Sequence, residues 1–434
     1  MKSIVMVILA AGVGKRFWPF TTDKTTFPFM GKPLVDYSIP RDLPPEVSRI
    51  VVVANKVNAG YFSHYPFPVP HDVVLQGDVP GMAGAVLAAA KHIGNRPVIV
   101  AIADDLADPG LMSSVFRKAK PDVFGILTIW KPRTYFPGGY VVFRDSRPAG
   151  IIEKPDPKKT PSEYVYFGGQ YFADGGKVIQ ILEKLKGNSD DLYERMLTEL
   201  MKTERFETVI SDHAFVSLKY PWHVLDAMDY LFRHHFTPTR GAHIDIHNNV
   251  SIVGEVAIGS NVKIFENTKI VGPVYIGDNT IIGNNNIIRE SIIGNNCVTG
   301  FNTDIARSYI GNDCWFHTNY VGDSVLEGNV SLGSGTVLAN LRLDEADISS
   351  SVGGTRLSTQ RNKLGAMIGR DVRIGVNASI MPGVKIGTNS KIGAGITLST
   401  DVPSDSFCYG KTELVTRKNT SAVGVDRTAF KSKI

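Results

Sequence analysis

The residues best suited to chemistry come early. Ile8-Leu9-Ala10-Ala11-Gly12-Val13-Gly14-Lys15-Arg16 closes a short apolar run with two glycines and two cations. The run over residues 4–8 has the length of a buried strand. Glycine has no Cβ, so backbone N–H groups can converge on a phosphate there while Lys15 and Arg16 supply countercharge. No third glycine stands where a dinucleotide fingerprint needs one, so phosphate binding alone is read here. A second apolar run, 98–103, delivers Asp104 and Asp105 at its end. Paired carboxylates at a strand terminus suit a hard divalent cation that keeps its waters and phosphates. His234 and His235 are adjacent on a helical stretch and do not face one point. They read as cations at a helix C-terminus rather than metal ligands.

These groups need elements to position them. Apolar runs recur at 4–8, 50–54, 73–75, 98–102, 124–129 and 140–143, with helix-like stretches between several of them, among them 84–92, and two more beyond, at 190–202 and 222–235. The alternation predicts an α/β domain with a mixed, mostly parallel sheet, whose ligands gather at the strands' C-terminal ends. In the second half Ile246, Ile252, Ile258, Ile264, Ile270, Ile276, Ile282 and Ile288 stand six apart. The register resumes at Ile368, Ile374, Ile380, Ile386 and Ile392, with Leu398 continuing it. A six-residue period is the signature of a parallel β-helix, each aliphatic side chain pointing into a prism. The small residue after many of these isoleucines lets the chain turn. The expected organisation is a domain over 1–236, a linker at 237–243, a β-helix over 244–402 interrupted at 339–367, and a tail from 403 to 434.

Composition bounds the function. The chain has 434 residues, more than one core usually holds, with 43% hydrophobic and 21% charged residues. A net charge of +5 is small for this length and argues against nucleic acid as partner. Three cysteines without metal-ligand spacing suit a reducing compartment, and the apolar start is too short to span a membrane. A cytoplasmic enzyme acting on small phosphorylated substrates is expected.

The continuation Lys24-Thr25-Thr26-Phe27-Pro28-Phe29-Met30-Gly31-Lys32-Pro33 keeps two lysines eight apart. Together with the glycine loop it resembles the signature of the sugar-1-phosphate nucleotidylyltransferases, with a loop from Arg16 to Lys24 about two residues short. That resemblance implies a Rossmann-like fold and transfer from a nucleoside triphosphate to a sugar-1-phosphate. Within it, Leu9, Ala10, Gly12, Gly14, Lys15, Gln76, Gly81 and Met82 (in place of the usual Thr) bind the nucleotide, and Arg16 and Lys24 are catalytic. Gly139, Glu153, Lys154 and Gly169 take the sugar phosphate. Asp104 is the expected Mg²⁺ ligand. His223 in Tyr220-Pro221-Trp222-His223 stands where relatives carry a second metal carboxylate, and imidazole suits softer ions such as Mn²⁺.

His317-Thr318-Asn319-Tyr320-Val321-Gly322-Asp323, then Asn340, then Lys363 resemble the acetyltransferase half of bifunctional N-acetylglucosamine-1-phosphate uridylyltransferases, and still more the archaeal bifunctional enzymes. The implied β-helix is left-handed and the implied assembly a homotrimer. His317 would be the base that takes the ammonium proton during acetyl transfer from acetyl-CoA, with Tyr320 beside it. Asn340 would orient the substrate, Arg307 and Lys363 its phosphate, and Gly375, Asn377 and Ala394 would line the coenzyme A groove. Ser331, Ala346 and Ser349 depart from the relatives' residues. Three readings stay open: a bifunctional enzyme, a nucleotidylyltransferase whose β-helix only assembles, and a non-catalytic regulatory homologue.

Overall fold

The structure is a computed structural model that describes residues 3–39, 43–108, 110–132, 135–185, 189, 191–211, 215–411 and 413–420. Much of the expected tail therefore lies outside the described residues.

The first half is built on a ten-stranded mixed sheet. Ile4–Ala10 runs inside it, parallel to Val47–Ala54 on one side and Val98–Ile102 on the other, and His71–Leu75 extends the parallel edge. Its seven residues are all apolar and all buried because both faces are covered. Val5, Val7 and Leu9 pack with the helices Gly81–Ala88, Gly175–Lys184 and Leu192–Met201. Ile4, Met6, Ile8 and Ala10 pack on the opposite side, where Ala59–Ser63 and Leu111–Lys118 lie. Beyond Val98–Ile102 the sheet turns antiparallel. Gln170–Phe172 separates it from Gly125–Trp130, and the hairpin Gly139–Arg144/Arg147–Glu153 forms the far edge.

The second half is a prism of three parallel faces. One carries eight strands and one seven; the third is continued between its short strands by single-residue bridges at Val298 and Trp315. The periodic aliphatic residues fill the interior: Ile264, Ile270, Ile276, Ile282 and Ile288 are fully buried, as are Ile368, Ile380 and Ile386. Early coils hold three hexapeptides, Ser251 pairing with Lys269 and Lys269 with Ile287, whereas Asp304 meets Tyr320 two residues sooner. The corner turns fall on asparagine. Asn261, Asn279 and Asn296 have φ of 58°, 56° and 59°, a region that Asn tolerates better than most residues. Their side chains form a ladder at 3.0 and 3.3 Å that continues to Asp313 at 3.0 Å. Glycine has a different task from the one expected. A Cβ on Gly277 would come 2.7 Å from the backbone of the next coil, so this residue permits close stacking rather than the turn itself.

No open joint separates the halves. Gly241 N–H already donates to the Ile258 carbonyl at 2.8 Å, so the stretch expected as a linker belongs to the first coil. Phe17, Phe20, Phe27 and Phe29 from the glycine-loop region share one core with Leu225, Met228 and Leu231 of the helix His223–His234, and with Ile292, Tyr309, Val325 and Met367 of one prism face. The segment 339–367 carries a hairpin, Ser349–Val352 with Thr355–Ser358. It folds back onto that helix, burying Ile348 in the shared core and pairing Arg361 with Asp226 at 2.5 Å. The firmest contact is polar. Glu327, 3% exposed, accepts at Oε1 from Thr21 N (2.8 Å) and Oγ1 (3.1 Å) and from Thr22 N and Oγ1 (2.7 Å each), and at Oε2 from Arg370 N (3.0 Å).

Replacing Glu327 by Ala strands the Thr21 and Thr22 donors against the prism. Hydrogen bonds to a charged group contribute roughly 1.5–3 kcal/mol each before compensation by water. Urea unfolding of the full chain should show a lower midpoint with unchanged far-ultraviolet circular dichroism; an unmoved midpoint refutes the clamp.

Candidate active sites

The parallel strands end together, and a cleft of about 690 Å³ opens where they do. Leu9, Gly12, Ala54, Leu75, Gln76, Gly81, Met82, Ile102 and Asp104 line it. The first strand's alternation sends Leu9 toward the cleft and Ala10 to the other face of the sheet, where the Ala10 carbonyl accepts from Asn58 Nδ2 at 2.8 Å. Gly14 adopts φ 65° and opens a single helical turn, Lys15–Phe17, leaving Lys15 and Arg16 exposed at the cleft's rim. Gln76 Nε2 donates to the Val79 (2.9 Å) and Gly81 (3.1 Å) carbonyls, which fixes the amide. A Cβ on Gly84 would fall 1.8 Å from the Val79 carbonyl oxygen, so only glycine lets the helix approach that loop. Met82 extends across to the Tyr166 hydroxyl, 4.0 Å away.

Lys24 and Asp104, eighty residues apart in sequence, form an ion pair at this opening, with side chains 15% and 13% exposed. Asp105 faces the other way, into a cavity of about 380 Å³ with Gly168 and Gly169. Burial and then the Asp104 charge push its carboxyl up to about 7, against a hydrogen bond from Ser217. Gly169 has φ 93°, a left-handed position that glycine accommodates. On the sheet's far edge Gly139 is in register with Glu153, and a Cβ there would strike the Tyr166 ring at 2.3 Å. Glu153 pairs with Lys154 at 2.8 Å.

His223 does not join Asp104. It lines a third cavity, of about 830 Å³, walled by Phe136, Tyr220 and the hairpin residues 357–361. Its Nδ1 lies 2.8 Å from the Ser217 carbonyl, and burial pushes its pKa down. The helix that begins at His223 docks on the prism through Leu225, Met228 and Leu231. Among the described residues no group of three or more His, Cys, Asp or Glu side chains is placed to hold a metal. His235 is the C-cap of this helix, half-buried against the Tyr37 ring, and burial pushes its pKa down. Lys219 was missed. It sits among Asp105, Arg16, Glu153 and Asp104, and its only sequence signal is a lone lysine before Tyr220-Pro221-Trp222.

On the prism, His317 is exposed on the corner between two faces. Gly335 N donates to Thr318 O at 2.9 Å, Asn377 N to Ser334 O at 2.9 Å and Gly395 N to Val376 O at 2.8 Å. His317, Gly375, Asn377 and Ala394 thus share one edge on successive coils. Arg307 and Asp323 occupy the opposite edge of the adjoining face. Asp323, 2% exposed, is held by Arg307 Nε and Nη2 at 2.8 Å each and by Asn340 Nδ2. Arg307, expected at a phosphate, thus has Nε and Nη2 on a buried carboxylate, with its side chain 31% exposed. Tyr320 lies between the two edges, its hydroxyl near Gly322 and Asn340. Exposed Lys363 closes the insertion through a bridge with Leu341. One chain therefore does not gather the whole expected acetyl-transfer set at one point.

Because the folded-state pKa of His223 lies below the ordinary 6.5, the unfolded chain takes up a proton first on acidification, and stability falls as pH drops below about 6.5. His223→Asn, which keeps a donor for the Ser217 carbonyl, should lose less melting temperature than the parent between pH 7.5 and about 5.5. Equal losses would refute the assignment.

Comparison with known proteins agrees with this geometry. Residues 5–215 match the nucleotidyl transferase family model, and 255–290 and 365–400 match two hexapeptide-repeat models, the bacterial transferase hexapeptide (six repeats) and the hexapeptide repeat of succinyl-transferase. The chain is 30% identical over 442 residues to the bifunctional protein GlmU of Methanocaldococcus jannaschii, covering 95% of this chain and 99% of that one. It is 31% identical over 394 residues to the bifunctional sugar-1-phosphate nucleotidylyltransferase/acetyltransferase of Sulfurisphaera tokodaii, covering 87% and 92%. With a nucleotidyl transferase half, a hexapeptide prism and relatives aligned along nearly its full length, the chain belongs to the family of bifunctional sugar-1-phosphate nucleotidylyltransferase/acetyltransferases.

Proposed function

We propose that the strand-end cleft transfers a nucleotidyl group to a sugar-1-phosphate, and that the prism N-acetylates an amino-sugar-1-phosphate with acetyl-CoA. The Lys24–Asp104 pair inside the cleft carries the first part. A sugar-phosphate oxygen attacks the α-phosphorus of a nucleoside triphosphate and pyrophosphate leaves. The nucleophile is already anionic, so alignment and charge neutralisation supply the rate. Lys15 and Arg16 hold the outer phosphates, Lys24 the α-phosphate, and Gln76, Gly81 and Met82 the base. Glu153 takes sugar hydroxyls, with Gly139, Lys154 and Gly169 around the sugar phosphate. Asp104 is the residue that would hold Mg²⁺ or Mn²⁺: one carboxylate lining the cleft, beside Lys24, fits the few protein ligands such an ion needs. An ion held by Asp104 would supply neutralising charge for the leaving phosphates.

For acetyl transfer, exposed His317 takes the ammonium proton while the edge column of Gly375, Asn377 and Ala394 receives coenzyme A. Tyr320 and Lys363 approach from the neighbouring edge. A second copy completes the pocket by setting its edge against this one, in a homotrimer. Phe301 and Trp315, 56% and 52% exposed, and Leu343, fully exposed, offer it apolar surface. No helix of the described residues is long and apolar enough to cross a membrane. With three free cysteines, a cytoplasmic setting is proposed.

A panel of nucleoside triphosphates and sugar-1-phosphates, assayed with Mg²⁺ and with Mn²⁺, identifies the substrates. Lys24→Ala should cut pyrophosphate release about 10²–10³-fold, the cost of one oriented cation or donor at developing charge, with little change in melting temperature. Unchanged release refutes the cleft assignment. His317→Ala should cut thiol release from acetyl-CoA about 10²–10⁴-fold, the range of a general base, and leave pyrophosphate release intact. No thiol release by the parent with any amino-sugar phosphate would reduce the prism to assembly.

A further inference from the structure

Neither reaction yet uses Lys219. It follows the short pairing of Asp105–Leu106 with Val216–Ser217. Leu218 N donates to the Asp104 carbonyl at 3.3 Å and Lys219 N to the Ser217 carbonyl at 2.9 Å, so the backbone is tied beside both strand-end carboxylates. The side chain is partly buried and its Nζ stands 4.3 Å from the centre of the Phe136 ring, on the wall of the largest of the three cavities. Its charged surroundings are Asp105, Arg16, Glu153 and Asp104. The other cations of the region have partners or open water. Lys24 is held by Asp104, Lys154 by Glu153 at 2.8 Å, and Arg16 is exposed over the Tyr220 ring. Among the described residues no carboxylate lies within ion-pair distance of the Lys219 ammonium. An ammonium drawn partly out of water with its carboxylates beyond ion-pair distance is costly, and a phosphate in direct contact offsets that cost.

We propose that Lys219 binds the phosphate of the sugar-1-phosphate and aims it at the nucleotide. The proposal rests on the nucleotidyl-transfer reading of the cleft. Leu218, one residue before, is tied to the Asp104 backbone, and the Lys219 charge acts on Asp104 and Arg16, assigned above to the nucleotide side, and on Glu153, assigned to the sugar. In the proposed reaction the sugar phosphate has to meet the nucleotide within reach of those same charges. Lys154, beside Glu153 with a left-handed backbone (φ 46°), is already paired with that carboxylate, so Lys219 adds a second cation for the nucleophile's phosphate.

The test uses the full chain with Lys219→Met and Lys219→Arg. The Met variant should raise KM for the sugar-1-phosphate about tenfold or more, the loss expected of a charge-assisted hydrogen bond, while KM for the nucleoside triphosphate changes less than about twofold. The Arg variant should recover most of the loss. Calorimetric titration with N-acetylglucosamine-1-phosphate reads the contact without turnover, and the Met variant should bind it about tenfold more weakly. Equal rises in both KM values, no rescue by Arg, or unchanged affinity for the probe would each overturn the proposal. A parent chain that releases no pyrophosphate with any substrate pair overturns the nucleotidyl-transfer reading instead. The Lys219 contact is then judged by the titration alone, where a parent that does not bind the probe also counts against it.

Discussion

The contact on which the nucleotide loop depends is a buried carboxylate belonging to the other half of the protein. Glu327 gathers backbone and hydroxyl donors of Thr21 and Thr22 on a single oxygen, at 2.7 to 3.1 Å. Those two residues lie between Arg16 and Lys24. A carboxylate nearly out of water is tolerated only with such a full set of donors, so the geometry is exacting on both sides. The aromatic cluster around Tyr309 seals the same contact, its hydroxyl donating to the Pro28 carbonyl at 2.6 Å. The prism thus serves as the floor of the segment between Arg16 and Lys24.

Charge at the strand ends follows from that rigidity. Asp104 faces the opening and keeps a lysine partner, while its neighbour Asp105 points inward and is pushed up to about 7, mainly by burial. Successive residues leaving a strand point to opposite sides. Two adjacent carboxylates therefore sit in different surroundings: one opens on the cleft beside Lys24, the other is enclosed within the wall. His223 stands outside this group, its helix docked on the prism and its ring nitrogen beside a backbone carbonyl.

The prism solves a different problem. Close coil stacking demands glycine where the next backbone passes, and left-handed corners favour asparagine. With the interior filled by aliphatic side chains, chemistry is confined to edges and outer faces. His317, Gly375, Asn377 and Ala394 share one edge, while Arg307, Asp323 and Asn340 are hydrogen-bonded together on the other. A site assembled from edges needs another edge to close it, which is the physical argument for association.

Much of this was legible in the residues themselves. The apolar runs of the first half became strands, the six-residue isoleucine period became the prism interior, and the glycine loop ended the first strand at the cleft. The sequence carried these because strand alternation, coil period and glycine's missing Cβ are local consequences of chain geometry. Its local terms could not say that Lys24 would meet Asp104, that Lys219 would stand among the site's charges, that Asp323 would claim Arg307, or that the insertion would brace the helix at His223. Those outcomes rest on contacts between residues tens to hundreds of positions apart. Their partners, burial and protonation are set only when the two halves close on one core.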